Sequence, residues 1–210
     1  MDQATRKLKQ RERILDAAAQ LFASQGYRGT STREIARLAE VAANTLFRYF
    51  EQKEELFWAV LHSRLSAFDL RKSLRESLAE ERNPEIVLPQ LVDQLLDTAT
   101  LNPELLRLVV VAWIEFQRKA AVILKEYLAP IFGAIRGYLD LHIADGELRE
   151  LDPSLVASAL IATSTLQVGL ADLLGEAELP SLSRKAMSRQ HAKFWLDLLK
   201  KPSLASAGSR

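Results

Sequence analysis

Apolar residues recur along the chain at the spacing of α-helices. The first apolar face runs through Ile14, Ala18 and Phe22. It predicts a helix over about residues 7–25, which Gly26 is placed to end. Because no run of alternating apolar and polar residues is bounded by turns, no sheet is expected. The pattern therefore predicts an all-α protein, with about nine helices in total.

Two short helices follow the first one within the first 50 residues. The run STRE at residues 31–34 has the spacing of a capping box and predicts the start of the second helix. The third helix begins near residue 43, after a turn of about three residues. Three apolar residues follow at intervals of five positions: Ala36, Val41 and Leu46. Ala36 is small enough for the two helices to cross closely, Val41 packs beneath the turn, and Leu46 packs the third helix against the core. This spacing is typical of a helix-turn-helix unit.

Asn-Pro and Asp-Pro pairs mark helix starts in the rest of the chain. The Asn or Asp side chain accepts hydrogen bonds from the first amides, and proline fits the first helical position. Pro89 and Pro130 lie inside the pattern and are expected to delay or kink their helices. The predicted helices cover about 53–68, 84–100, 103–118, 121–145, 153–175 and 182–201.

Composition narrows the class of protein. Apolar residues make up 48% of the chain and charged residues 26%, which is typical of a globular protein. The chain has no cysteine, which excludes disulfides, thiolate metal sites and a cysteine nucleophile. The charge-free stretch 153–171 has the length of a membrane span, but its Ser, Thr and Gln residues favour a buried helix instead. With no secretory signal pattern, we expect a cytoplasmic protein without a membrane partner.

The sequence offers little catalytic or metal-binding chemistry. His62, His142 and His191 fall on different predicted helices and match no paired metal-ligand spacing. There is no phosphate-binding loop, no G-x-G-x-x-G and no G-x-S-x-G. We therefore expect neither a metal nor a cofactor, and we do not expect an enzyme.

Charge is unevenly distributed along the chain. Residues 1–50 hold nine Lys or Arg against five Asp or Glu, whereas the whole chain has a net charge of only +1. The excess lies in a basic arm at the N-terminus, formed by Arg6, Lys7, Lys9, Arg11 and Arg13. A basic arm beside a compact helical unit is typical of nucleic-acid binding, while the alternative is a solvated, frayed terminus.

The helix-turn-helix region resembles a known family. Residues 14–57, ILDAAAQLFASQGYRGTSTREIARLAEVAANTLFRYFEQKEELF, are similar to the N-terminal DNA-binding signature of the TetR family of bacterial transcriptional repressors. The resemblance implies an all-α homodimer with a small DNA-binding domain and a larger ligand-binding and dimerisation domain. We accordingly expect a DNA-binding domain at 1–52, a helical ligand-binding and dimerisation domain at 53–201, and a disordered tail at 202–210.

The resemblance also implies which residues contact DNA phosphates. It assigns this role to Thr32, Arg33, Tyr49 and Lys53. Lys53 stands in the first turn of a predicted helix, where a cation opposes the helix dipole unless an anion lies nearby. The alternative for Tyr49 is a half-buried aromatic with a free hydroxyl.

Base reading is expected from the exposed side of the third helix, at Ala43, Asn44, Thr45 and Arg48. Asn pairs bidentately with adenine and Arg with guanine, while Ala and Thr methyls can meet a thymine methyl. Arg48 can alternatively reach only the backbone. Leu46, Phe47 and Phe50 are expected to face the core instead.

The sequence departs from the family pattern at four positions. Glu40 replaces a usual glycine in the turn, where a positive φ would strain any other residue. Ala42 and Gln52 replace hydroxyl-bearing helix caps, and Phe47 replaces a tyrosine. We therefore expect fewer phosphate contacts than is usual in the family.

A second domain of mostly apolar helices exceeds what DNA reading requires. The resemblance implies a small-molecule pocket among the helices between residues 84 and 175, and most aromatic residues there are expected to be core. The helices at 153–175 and 182–201 are expected to form a four-helix dimer interface. Candidate wall residues are Trp113, Phe116, Tyr127, Phe132 and Tyr138.

Together these features predict a ligand-responsive, DNA-binding transcriptional regulator, most simply a repressor. It is expected to bind a palindromic operator in double-stranded DNA as a homodimer and to be released by a small apolar or amphipathic effector. The alternative is a helical interaction module that has lost DNA binding, as the turn and cap departures would suggest.

Overall fold

The structure is a computed structural model that describes residues 3–67, 78, 83–174 and 183–201. Eight α-helices lie in these ranges, together with an isolated β-bridge between Leu148 and Lys200 and no sheet. The all-α class is confirmed, with one helix fewer in the described part than the nine or so predicted. The predicted tail at 202–210 lies outside the described residues. The helices are α1 (Gln3–Gly29), α2 (Thr32–Leu38), α3 (Ala43–Tyr49), α4 (Lys53–Ala67), α5 (Pro84–Leu101), α6 (Pro103–Ala144), α7 (Pro153–Leu174) and α8 (Arg184–Leu199).

The difference between the predicted and the observed number of helices arises in α6. The sequence predicts separate helices at 103–118 and 121–145, whereas the structure contains one element broken at Gln117, where φ is 37° and ψ is −99°. Pro130, where a kink was expected, lies within the helix. The break therefore lies close to the interruption predicted between residues 118 and 121, at a residue that is neither glycine nor proline.

The chain divides into two compact units. The first is built from the described residues within 1–69 and 102–127, and the second from those within 70–101 and 128–210. In the first unit, α1 packs against α4 and α2, and α2 packs against α3. In the second unit, α5 packs against both α7 and α8.

Aromatic rings fill the core of the first unit. Phe57 is fully buried, with its ring centroid 5.1 Å from that of Phe22 and 5.2 Å from that of Phe116. Tyr27 and Trp58 extend the same cluster, each with its ring 4.8 Å from Phe116. The apolar face predicted for α1 supplies the other side of this core, because Ile14, Ala18 and Phe22 are all inaccessible to solvent.

The first helix is longer than predicted and bends at Gly26. It begins at Gln3 rather than near residue 7, and its residues before Ile14 are good helix formers such as Lys, Arg and Gln. At Gly26, φ is 73° and ψ is 173°, a conformation that glycine alone adopts without strain. The predicted stop at Gly26 is thus a kink, after which the helix continues to Gly29.

Replacing Gly26 by alanine is expected to destabilise the first unit by about 1–3 kcal/mol, since the backbone there is restricted to glycine. The penalty is conformational rather than steric, because a Cβ atom at Gly26 would meet no atom of the described residues within 4 Å. Gly29→Ala is the matched control: its Cβ would lie 3.5 Å from the Gln25 Cβ, an ordinary contact. Urea denaturation followed by circular dichroism should find Gly29→Ala neutral or slightly stabilised, and equal losses in both variants would contradict this explanation of the kink.

The second unit carries the helix starts predicted from the Asn-Pro and Asp-Pro pairs. The Asn83 side chain accepts a hydrogen bond from the Glu85 amide at 2.9 Å, and Asp152 accepts one from the Ser154 amide at 2.7 Å. Helix α6 ends just before Gly146, whose φ is 76°. Across the described ranges, no helix combines the length and hydropathy that crossing a membrane would require.

Candidate nucleic-acid interface

The second helix begins with the capping box that the sequence predicts. The Ser31 Oγ accepts a hydrogen bond from the Glu34 amide at 3.2 Å, and the Ser31 amide donates to the Glu34 carboxylate at 3.0 Å. The Ser31 hydroxyl also donates to the Glu34 carboxylate at 2.7 Å. This bond and the one from the Ser31 amide lower the pKa of the Glu34 carboxyl. Because this pKa is lowered, the ionised carboxylate of Glu34 stabilises α2 at pH values above the ordinary pKa of 4.5. This contribution to stability is lost as the pH falls through the lowered pKa.

The turn between α2 and α3 has the predicted packing and the predicted strain. Ala36 and Leu46 are buried, and the Val41 amide donates to the Ala36 carbonyl at 2.9 Å. Glu40 adopts a φ of 51°, so a side chain occupies a conformation that favours glycine. Its carboxylate pairs with Arg13 at 2.6 Å, which ties the turn to α1. The geometry holds α3 on the surface of the unit.

Helix α3 exposes a short face that could enter a DNA groove. Ala43, Asn44 and Arg48 are exposed, while Thr45 is half-buried. Ala42 provides no side-chain cap for the helix, as the sequence indicates. Leu46 and Phe50 are buried as expected and anchor the opposite side. The residues expected to read bases therefore lie together on an accessible surface.

The prediction for Phe47 is wrong. The sequence was expected to place this ring in the core with Leu46 and Phe50, but 47% of Phe47 is exposed. The reason is helical geometry, because Phe47 follows the buried Leu46 by one residue, or 100° around the axis. That rotation brings it to the face that carries Asn44 and Arg48. Counting 100° per residue from the buried Leu46 would have predicted that Phe47 is exposed.

Lys53 has partners within the protein. Its ammonium donates to the carbonyl of Tyr27 at 2.9 Å and to that of Thr30 at 3.0 Å, and it lies 4.4 Å from the centre of the Tyr27 ring. These carbonyls close the C-terminal end of α1, whose partial negative charge favours a cation. Two of the three ammonium protons are thereby directed inward, and Lys53 is half-buried.

The other three residues assigned to phosphates differ in exposure. Arg33 is exposed, whereas Thr32 is half-buried at the start of α2. Tyr49 is half-buried, and its hydroxyl lies 3.2 Å from both the Lys7 carbonyl and the Gln10 side-chain oxygen. The hydroxyl of Tyr49 thus connects the end of α3 to the first turns of α1.

A family model places this arrangement among known proteins. Residues 14–60 match the model of the N-terminal domain described as "Bacterial regulatory proteins, tetR family". The chain therefore contains a TetR-type N-terminal domain at residues 14–60. The matched residues include the α2–turn–α3 unit and the start of α4, so the TetR match and the exposed face of α3 concern the same part of the molecule.

Individual regulators match this chain over different lengths. The transcriptional regulator YvkB of Bacillus subtilis is 52% identical over 50 residues, which are 24% of this chain but only 26% of YvkB. The fatty acid metabolism regulator protein of Bacillus subtilis is 26% identical over 153 residues, covering 71% of this chain and 77% of that protein. Both relatives are named as regulators.

A solved structure supports the fold over most of the chain. FadR from Bacillus subtilis, in complex with stearoyl-CoA, is 21% identical with a TM-score of 0.65. The match covers 88% of this chain and 96% of that one. At this level of identity the likeness concerns the fold alone, and it extends to helices beyond residues 14–60.

The five aromatic residues considered for a ligand pocket are not brought together within one unit. Trp113 is 59% exposed, and Phe116 belongs to the aromatic core of the first unit. Tyr127 pairs with His62 in the first unit, its hydroxyl 2.8 Å from the His62 Nδ1. Phe132 and Tyr138 belong to the second unit, where Phe132 is half-buried and Tyr138 is buried. Clefts of about 560, 410 and 420 Å³ on the described surface contain none of the five.

Ion pairs connect α4 to the helices around it in the first unit. Arg64 binds Asp16 of α1 and Glu104 of α6, each at 2.9 Å. Although burial alone would lower the pKa of Arg64, these two carboxylates raise it. Glu54 binds Lys119 and the Trp58 indole, and these bonds lower the pKa of the Glu54 carboxyl. Helix α4 is therefore fixed by charged contacts as well as by its aromatic core.

Metal ligands are not grouped in the described part of the molecule. No set of three or more His, Asp or Glu side chains there could hold a metal ion. His142 and His191 lie in the second unit with separate partners: the His142 Nδ1 lies 2.6 Å from the Glu147 carboxylate, and the His191 Nε2 lies 3.2 Å from the Thr163 hydroxyl.

Proposed function

We propose that this protein is a ligand-responsive transcriptional repressor that binds a palindromic operator as a homodimer. The observation that carries this proposal is the exposed face of α3, held outward by the capping box of α2 and by the buried Ala36 and Leu46. A helix presented in this way can enter the major groove, where each base pair has a distinct pattern of donors and acceptors.

Four side chains of α3 fit the chemistry of base edges. Asn44 can bond bidentately to adenine and Arg48 to guanine, and the methyl groups of Ala43 and Thr45 can meet a thymine methyl. The exposed Phe47 adds a large apolar surface on the same face, which suits contact with a thymine methyl. We assign Phe47 to operator recognition on this ground.

Phosphate contacts would fix the register of α3 on the duplex. Arg33 and Thr32 begin α2, and exposed cations bind phosphates without reading sequence. Lys53 keeps one proton beyond those bound to the Tyr27 and Thr30 carbonyls, so it can bind a phosphate while it remains attached to the protein.

The second unit offers an apolar face for a second copy of the chain. Leu155, Ala162 and Leu166 are exposed along α7 at the spacing of one helix face. Phe194 and Leu198 are exposed along α8, and the His191–Thr163 hydrogen bond ties the two helices together. Contiguous exposed apolar residues of this kind mark interfaces, and four such helices would close a symmetric dimer.

Phe194→Glu is expected to convert the dimer into a monomer, because it places a charge in the apolar face. The control is Arg189→Glu, which puts the same side chain on α8 about 140° away from Phe194, at 100° per residue. Size-exclusion chromatography with light scattering distinguishes the two masses. A Phe194→Glu protein that remains dimeric would place the interface elsewhere.

Buried polar atoms in the second unit support a ligand with polar groups. The His142 Nε2, the Ser164 Oγ and the Trp195 Nε1 are inaccessible to solvent and make no hydrogen bond to any residue that the structure describes. Leaving such a group unsatisfied costs about 1–3 kcal/mol, which a ligand could recover. We propose an amphipathic effector, and acyl-CoA is the first candidate because a structural neighbour was solved with stearoyl-CoA.

The effector would act by binding the free protein better than the DNA-bound protein. In helix-turn-helix dimers the two recognition helices lie about 34–36 Å apart, one turn of B-DNA. A ligand that stabilises a different spacing lowers operator affinity by its differential binding to the two states.

The experiment begins with selection of duplexes from a random-sequence library by the wild-type protein. An inverted repeat should be enriched, and its affinity should fall when stearoyl-CoA is added but not when coenzyme A alone is added. No enriched sequence would contradict the proposal and favour a helical module that has lost DNA binding. An enriched repeat that is insensitive to stearoyl-CoA would refute only the effector assignment.

A further inference from the structure

The first three turns of α1 form a basic arm that the hydrophobic core does not explain. Residues 3–13 carry five Lys or Arg side chains and one Glu, and the first buried residue of the helix is Ile14. Eleven residues extend about 16 Å in a helix, and isolated helices of this length are marginal in water. The arm therefore needs contacts other than apolar burial to remain ordered.

Two contacts with the end of α3 hold the arm in place. The Tyr49 hydroxyl donates to the Lys7 carbonyl or the Gln10 side-chain oxygen, each 3.2 Å away. The Arg11 guanidinium lies 5.5 Å from the centre of the Phe50 ring, within the range of a cation–π contact. Both anchors lie at the C-terminal end of the helix that is proposed to read the operator.

The basic side chains of the arm differ in whether they contact other residues of the protein. Arg13 already pairs with Glu40 at 2.6 Å, and Arg11 faces Phe50. Arg6 and Lys7 lie further out along the arm, and both are exposed. Like charges so close together repel each other unless an anion neutralises them. An anionic partner running past the end of α3 would satisfy this requirement.

We propose that the arm is a second DNA-contact element, in which Arg6 and Lys7 bind phosphates that flank the base pairs read by α3. Tyr49 is its positioning residue, since the Tyr49 hydroxyl fixes the backbone of the arm at Lys7. This inference rests on the proposed operator binding and extends the contacted DNA beyond each half-site. The contacts are to the backbone, so they add affinity and salt dependence without reading sequence.

The test measures operator binding by fluorescence anisotropy from 50 to 300 mM KCl, with two duplexes. One carries DNA beyond both half-sites, and the other is trimmed flush to them. For the longer duplex, the double variant Arg6→Gln/Lys7→Gln should reduce the salt slope by about 3.6, or about 0.9 for each of the four phosphates that the two arms of the dimer no longer bind. The matched control, Arg118→Gln/Lys125→Gln, removes two exposed cations from α6 in the same unit and should leave the slope within about 0.3 of the wild type.

The positioning role of Tyr49 has its own readout. Tyr49→Phe should weaken binding to the longer duplex, and this effect should disappear when Arg6 and Lys7 are already replaced, because coupled residues are not additive. An effect of Tyr49→Phe that persists in that background would mean that the hydroxyl binds a phosphate itself, which would overturn the positioning role.

The remaining outcomes separate the arm from the proposed function. Equal salt slopes for the arm variant and its control would mean that the arm is a solvated extension of α1 that does not contact DNA. That result would overturn the inference about the arm and leave the proposed operator binding unaffected. Loss of binding to anionic phosphatidylglycerol vesicles, with unchanged operator binding, would assign the arm to a membrane surface and also overturn it. A wild-type protein without sequence-specific binding would instead refute the proposed function.

Discussion

Replacing Phe57 by alanine is expected to lower the free energy of unfolding of the first unit by about 3–5 kcal/mol. The ring is fully buried and contacts those of Phe22, Tyr27 and Phe116, with centroids 5.1 to 5.6 Å apart. Removing it leaves a cavity in a core that supports both α1 and α4. Because whole proteins are stable by only about 5–15 kcal/mol, this loss is a large share of the total. The variant should unfold, and lose operator binding, at a lower urea concentration than the wild type.

Phe47→Ala is the matched control, because it makes the same substitution at an exposed ring. Urea denaturation should find its stability within about 0.5 kcal/mol of the wild type. Its operator affinity should nevertheless fall if Phe47 contacts a base. A Phe57→Ala protein as stable as Phe47→Ala would contradict the packing of Phe57 in the aromatic core.

Asn44→Ala and Arg48→Ala are each expected to cost about 1–3 kcal/mol of binding free energy at each half-site of the operator, or a factor of about 5 to 150 in affinity for each half-site. Both side chains are exposed, so the stability of the fold should not change. Each loss should be confined to the base pair that the residue reads. A duplex altered at that base pair already lacks the contact, so it should bind the wild type and the variant with equal affinity. Anisotropy titrations against the selected operator and its single base-pair variants measure this directly.

Arg33→Ala provides the comparison for these two variants. A residue that binds only phosphate should weaken binding to every duplex by a similar factor. It should reduce the salt slope by about 1.8, or about 0.9 for each of the two subunits. If Asn44→Ala and Arg48→Ala behaved in the same sequence-independent way, α3 would contact the backbone alone and another element would have to read the bases.

Much of the fold could be predicted because its determinants are local. The capping box at Ser31 and Glu34, the apolar face of α1 and the helix starts at Pro84, Pro103 and Pro153 depend on residues within one turn of each other. The strained turn was also predictable, since Glu40 stands where glycine is usual and does adopt a positive φ. Such features need no knowledge of distant contacts.

Other features could not be predicted because they depend on tertiary contacts. The interruption that the sequence predicts between residues 118 and 121 lies at Gln117 instead, and the kink at Gly26 was expected to be a helix end. The inward partners of Lys53 are carbonyls 26 and 23 positions earlier in the chain, so the sequence suggested only an external anion. The phosphate and base contacts assigned to individual residues remain predictions, as does the domain boundary near residue 52.

Hydroxyl-radical footprinting of the wild-type protein on the selected operator tests the central claim most directly. Two α3 helices in a symmetric dimer should protect two windows related by a dyad, with centres one helical turn apart, about 34–36 Å. If the arm contacts flanking phosphates, weaker protection should extend beyond the outer edge of each window. A single protected window, or none at protein concentrations that saturate the anisotropy signal, would contradict the role of α3 as the operator-reading helix of a dimer.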